Sequence, residues 1–159
     1  MSDHVHHFAC KTTWTGASKG ATSDYATYSR EMRVDIDGKP SLTMSGAAVF
    51  RGDASLHNPE DLLVAALSTC HALSYLAICS RSGIEVVAYE DEATGKMERK
   101  DGKIRFTEVV LKPRVTLRKG DAELVVLAST LHAKAHQECF IASSVNFPVK
   151  NDPAVLVQA

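Results

Sequence analysis

Four cysteines and seven histidines are the residues of this 159-residue sequence best suited to chemistry. A thiolate is a strong nucleophile and metal ligand, and an imidazole serves as base or ligand near neutral pH. Cys10, Cys70, Cys79 and Cys139 lie far apart with no C-x-x-C pair, which is not the pattern of a secreted disulfide scaffold. Cys70 and Cys79 are nine residues apart, so on a helix they face opposite ways, ~180° apart at 100° per residue. They cannot pair within one helix. Cys79 reads as a packing residue and Cys10 as a strand residue. Cys70 sits among small apolar neighbours and reads either as a packed thiol or as a working one. Cys139 stands where Gln137-Glu138 gives way to Phe140-Ile141, the end of a second helix. If the two helices pack together, Cys70 and Cys139 could reach the ~4.4–6.8 Å Cα separation of a disulfide.

His132, His136 and Cys139 fall at i, i+4 and i+7, one helical face. With Cys70 they would make a tetrahedral zinc donor set, and the alternative is two histidines packed on a helix. His4, His6 and His7 could scavenge metal at the N-terminus. Glu60 and Arg51 are charged residues near the start of the first helix. In one reading they are a first-turn charge and a solvated loop residue. In the other they form a salt bridge that aims a guanidinium at a thiol and favours its thiolate. Glu60 precedes Cys70 by ten residues, ~15 Å of helix, so it would act through Arg51 or another cation, across a subunit boundary.

The elements that must place these residues read as strands, helix, strands, helix, strand, an α+β order with antiparallel sheets. Strands are expected at Phe8–Trp14, Tyr25–Ile36 and Ser41–Phe50, with a turn at Asp37-Gly38-Lys39-Pro40. Asn58 as N-cap, Pro59 at the first helical position, Glu60 and Asp61 in the first turn and Gly83 as the stop define a helix over Pro59–Ser82. Strands follow at Ile84–Tyr89, Lys96–Arg99 and Ile104–Leu117, with a hairpin turn over Lys100–Lys103. Asp121 caps a second helix, Ala122 to about Glu138, with Val125, Ala128, Leu131, Ala135 and His136 near one face. A last strand is expected over Ile141–Val149.

The first helix would be ~36 Å long, against a radius of gyration of about 15 Å for a compact chain of this length. Its apolar residues lie on every face, so it must be covered all round. One sheet and one further helix can scarcely do that, and a second subunit is expected to supply part of the cover. The apolar run Leu62–Cys79 reaches the length of a membrane span. It carries Ser68, Thr69, His71 and Ser74, and a buried helix is the preferred reading.

Composition fits one globular domain over residues 1–159. Hydrophobic residues make up 45% and charged residues 23%, which excludes a disordered or collagen-like chain. The net charge of -1 gives no basic excess for nucleic acid. Nothing at the N-terminus reads as a signal peptide, so the expected compartment is the cytoplasm, where thiols stay reduced.

The stretch Asn58-Pro59-Glu60-Asp61-Leu62-Leu63 through Ala65-Ala66-Leu67 to Cys70-His71 resembles the first long helix of the OsmC/Ohr family (osmotically induced protein and organic hydroperoxide resistance protein). Ala135-His136-Gln137-Glu138-Cys139 resembles the segment bearing that family's second cysteine. The resemblance implies an intertwined homodimer, with antiparallel sheets around two long central helices and active sites at the subunit interface. It implies a thiol-dependent peroxidase acting on organic hydroperoxides, with Cys70 peroxidatic, Cys139 resolving, Glu60 the acidic partner and Arg51, or else Arg30, the arginine. Leu67, Leu73 and Phe140 would wall an apolar substrate site. No cofactor or metal is implied; the partners are a hydroperoxide and a dithiol reductant. Phe140 stands where the family often has proline, and the glycine-rich arginine loop of the Ohr subgroup is missing. A competing reading is a non-catalytic dimer that binds zinc or an apolar ligand between its central helices.

Overall fold

Both ends of the long helix are closed by the residue types that mark them. In the computed structural model, which describes residues 5–159, helix α1 runs Pro59–Arg81. Asn58 Oδ1 accepts from the Asp61 backbone N–H at 2.8 Å, and Asn58 Nδ2 donates to Asp61 Oδ2 at 2.7 Å. This satisfies one of the free N–H groups that every helix start exposes. At the other end Gly83 takes a φ of 71°, a left-handed conformation open to glycine. The Gly83 N–H then reaches the Ser80 carbonyl, and the Ile84 N–H the Cys79 carbonyl at 2.9 Å, the two bonds of a Schellman closure. Helix α2, Ala122–Glu138, begins at Asp121, whose Oδ1 accepts from the Leu124 N–H at 2.9 Å.

The chain divides into two compact units, residues 1–62 and 63–159. In the first, β1 (Lys11–Trp14), β2 (Met32–Asp35) and β3 (Leu42–Met44) form an antiparallel sheet in the order β1-β2-β3. The expected strand over Tyr25–Ile36 is realised only from Met32. Upstream of it, Asp24 turns the chain by accepting from Ala26 N–H and Thr27 Oγ1, and a turn stabilised by its own side chain competes with strand pairing. The expected strand Ser41–Phe50 likewise stops at Met44 and gives way to a 3-10 turn over Ala48–Phe50. Arg51 closes that turn in the left-handed region, at φ 66°.

The second unit holds β4 (Val86–Asp91), β5 (Thr94–Lys100), β6 (Lys103–Leu111), β7 (Pro113–Leu117), β8 (Val149–Asn151) and β9 (Ala154–Val157). The stretch Ile104–Leu117 is two strands. Pro113 cannot donate to a ladder, and the Lys112 N–H turns to Asp91 Oδ1 at 2.6 Å. The chain therefore passes there from the sheet β5-β6-β8 to the sheet β4-β7-β9. The hairpin turn is realised at Asp101 and Gly102, both at positive φ, the geometry that a two-residue hairpin needs. In place of a strand over Ile141–Val149 the structure has a 3-10 turn at Ala142–Ser144 and then β8 and β9, which pair parallel to β6 and β7. Ser143 and Ser144 bond back to the carbonyls of Cys139 and Phe140, which holds that segment out of a ladder.

Helix α1 buries Leu67, His71, Tyr75, Ile78 and Cys79, one stripe at helical spacing. Leu67 packs with Val109 and Leu111, while Tyr75, Ile78 and Cys79 join Ile84, Val115, Leu117, Ala128, Ala135 and Val155. By length and composition alone α1 could cross a membrane, but its buried stripe is hydrogen-bonded to α2 through Tyr75 Oη and the Ala128 carbonyl at 3.2 Å. The other faces stay open, with Leu73 64% exposed. Removing the cap that starts this helix has a defined cost: Asn58→Ala should lower stability by about 1 kcal/mol in urea titration, and an unchanged midpoint would show that the cap is idle.

Candidate active site

Cys70 and Cys139 are brought together in the second unit. Cys70 lies midway along α1 and is half-buried; Cys139 caps the C-terminus of α2 and is 1% exposed. Both are free thiols, near enough for the Cys70 side chain to raise the Cys139 pKa. The backbone at Cys139 turns extended, with φ -77° and ψ 105°, and its surroundings fix it. Its carbonyl accepts from the Ser143 N–H at 3.0 Å and from Ser143 Oγ at 3.1 Å, and its Sγ accepts from the Ala142 N–H at 3.5 Å. Burial, with the Cys70 thiol as a further cause, pushes the Cys139 pKa up to about 11. The Ala142 N–H opposes that shift without reversing it. At neutral pH Cys139 therefore keeps its proton and is a poor first nucleophile. The half-buried Cys70 is the accessible thiol of the two.

Cys79 is 1% exposed, and burial raises its pKa, the environment of an inert thiol. Cys10 is exposed and stands just before β1. Leu73 and Phe140, from α1 and from the residue after Cys139, line one open groove of about 410 Å³ with Ser74, Ala77, Arg81 and Glu138. Leu67 does not join them. It is fully buried against Val109 and Leu111, because it lies on the stripe of α1 that faces the sheet.

The charged residues expected at the site are placed within the first unit. Glu60 is in the first turn of α1, with Oε2 buried and unpaired. The ion pairs of the described residues do not join it to Arg51. Arg51 is exposed, its guanidinium 5.8 Å from the Tyr25 ring centroid. Arg30 is tied down: it donates to the carbonyls of Tyr25 at 2.7 Å and Tyr28 at 3.1 Å and lies 4.1 Å from the Tyr28 ring centroid. Of the two, Arg51 is the less committed.

The zinc set of His132, His136, Cys139 and Cys70 is not assembled. Among the described residues no group of three or more His, Cys, Asp or Glu could hold a metal ion. Cys139 has left the helix, so the i+7 projection fails. His132 Nδ1 instead meets His71 Nε2 at 3.0 Å, and the rings are near-parallel at 11°. His6 and His7 are exposed, and His4 lies outside the described residues.

This buried histidine pair was not anticipated. His71 follows Cys70 and lies on the same helix face as Leu67 and Tyr75, a spacing that could have signalled it. The rings are 0% and 2% exposed, and His132 also stacks on Tyr75 with centroids 3.8 Å apart. Burial holds both pKa values down, from 6.5 to about 4, with His136 lowering His71 further, Asp91 opposing, and His71 lowering His132. Above pH 6.5 the rings are neutral in folded and unfolded chains alike, and the contribution of the pair is fully present. As pH falls from 6.5 toward 4 the unfolded chain takes up protons that the folded one refuses, and stability is lost. Urea titrations at pH 7 and pH 5 should differ by about 2 kcal/mol for each ring that stays neutral. Equal stability at the two pH values would contradict a buried neutral pair.

Comparison with known proteins places this fold. The OsmC-like protein family matches residues 52–152. The uncharacterized protein YmaD of Bacillus subtilis (strain 168) is 28% identical over 147 residues, covering 91% of this chain and 89% of YmaD. The structure of the OsmC-like protein of unknown function VCA0330 from Vibrio cholerae is 29% identical, with a TM-score of 0.86 over 94% of this chain and 99% of its own. An organic hydroperoxide resistance protein OsmC from Legionella pneumophila shares the fold, with a TM-score of 0.66 at 16% identity over 99% of this chain and 100% of its own.

Proposed function

The chain belongs to the OsmC-like family, and we propose that within it this protein is a thiol-dependent peroxidase that reduces organic hydroperoxides to alcohols. The observation that carries this reading is the nearness of a half-buried thiol, Cys70, to a buried, protonated one, Cys139, with no bond between them. Family membership supports a redox role in hydroperoxide resistance.

In this reading the Cys70 thiolate attacks the distal oxygen of the hydroperoxide. The O–O bond breaks, the alkoxide leaves as alcohol after taking a proton, and Cys70 becomes a sulfenic acid. The Cys139 thiol then condenses with it: the S–S bond forms, the S–O bond breaks, and the hydroxyl leaves with the Cys139 proton as water. An external dithiol reduces the disulfide and returns both thiols, which suits a reducing compartment such as the cytoplasm. Arg51 and Glu60 are the charged residues assigned to thiolate and peroxide stabilisation, with Arg51 as the cation. The groove between Leu73 and Phe140 favours a substrate with an apolar body.

The functional unit in this proposal is a homodimer. Helix α1 is apolar on all sides, yet only the stripe through Leu67, His71 and Tyr75 is covered; Leu73 remains 64% and Phe140 82% exposed. A second copy would remove such surface from water, a gain of ~25 cal/mol per Å². Light scattering at micromolar concentration should give twice the 17.2 kDa chain mass, and a monomer would refute the dimer.

Turnover of an organic hydroperoxide with a dithiol tests the chemistry. Cys70→Ser should abolish it, Cys139→Ser should stop after one oxidation of Cys70, and Arg51→Ala should slow it on the order of a hundredfold. Full turnover by the Cys70→Ser variant would overturn the assignment.

A further inference from the structure

We propose that the buried His71–His132 pair positions Cys139 for disulfide formation by fixing the register of α2 on α1. In the reduced protein no covalent bond holds the two thiols together, so the helices that carry them must be held otherwise. Among the described residues three hydrogen bonds join α1 to α2: His71 Nε2 with His132 Nδ1 at 3.0 Å, Tyr75 Oη with the Ala128 carbonyl at 3.2 Å, and an exposed Arg81–Glu138 contact at 3.4 Å. The exposed pair contributes little. The histidine pair is the one buried bond between side chains of both helices, and it starts one residue from Cys70.

A packed apolar pair would tolerate sliding, whereas the one bond between two buried imidazoles, whose other nitrogens His71 Nδ1 and His132 Nε2 have no partner, forms at one relative placement. Each neutral ring has one N–H and one bare nitrogen, so the pair shares a single proton. A shift of an ångström along either helix breaks that bond and leaves all four ring nitrogens buried without partners instead of two. The stack of His132 on Tyr75, at 3.8 Å and 9°, holds the ring in the plane that the bond requires. The same register sets Cys139, two turns beyond His132 at the end of α2, against Cys70.

The role serves the peroxidase reading above, but it concerns only the closeness of two thiols and is measurable without peroxide. In a glutathione redox buffer the reduced-to-disulfide equilibrium of Cys70 and Cys139 gives their effective concentration. His132→Asn keeps a polar atom near the Nδ1 position and should retain the wild-type value. The double variant His71→Leu/His132→Phe replaces both partners by apolar groups, so no orphaned nitrogen unsettles the fold. Its effective concentration should fall about tenfold or more, as expected when reacting atoms lose alignment. Circular dichroism checks folding; if the double variant does not fold, His132→Phe alone carries the same expectation. A folded apolar variant with the wild-type effective concentration would overturn the proposal. With organic hydroperoxide as oxidant, the same variant should still oxidise Cys70 but accumulate sulfinic acid. If wild-type Cys70 resists hydroperoxide, the peroxidase reading fails and the glutathione result still decides the role of the pair.

Discussion

Cys139 is 1% exposed at the end of a helix, and burial there keeps its proton on at neutral pH. A thiol in that state does nothing until another sulfur is brought against it and made electrophilic. The rest of the second unit answers that constraint. Helix α1 carries Cys70 close to Cys139, the turn at Ala142–Ser144 binds the Cys139 carbonyl and sulfur, and two buried hydrogen bonds join the helices. In the proposed mechanism the arrangement separates two tasks that one cysteine cannot combine: an accessible sulfur that meets the oxidant, and a sheltered one that waits for the product.

Much of this was legible in the residues. Asn58, Pro59 and Gly83 fixed the limits of α1 because caps and stops are local chemistry, readable without knowing the fold. Asp121 did the same for α2. The apolar faces of both helices were legible as well, and the two thiols singled out by the family resemblance lie close enough for Cys70 to raise the Cys139 pKa.

What was illegible depended on a side chain competing locally for the backbone or on partners distant in sequence. The alternation from Tyr25 to Ile36 looks like a strand, but Asp24 takes the local N–H and hydroxyl groups into a turn. Pro113 divides one apolar run into strands of two different sheets, a choice set by Asp91, which lies 21 residues before the N–H of Lys112 that it binds. Leu67 has the composition of a substrate wall and lies on the opposite stripe, against Val109. His132 and His136 share a helix face that suggests zinc, and the answer lay 61 residues away at His71. Periodicity shows that a face is buried; it does not show which residue the face meets.

Peptide mapping by mass spectrometry after one equivalent of an organic hydroperoxide tests the central claim most directly. A single cross-linked peptide pair joining Cys70 to Cys139, with Cys10 and Cys79 still free, is the predicted result. A cross-link through Cys10 or Cys79, or four unmodified thiols, would contradict it.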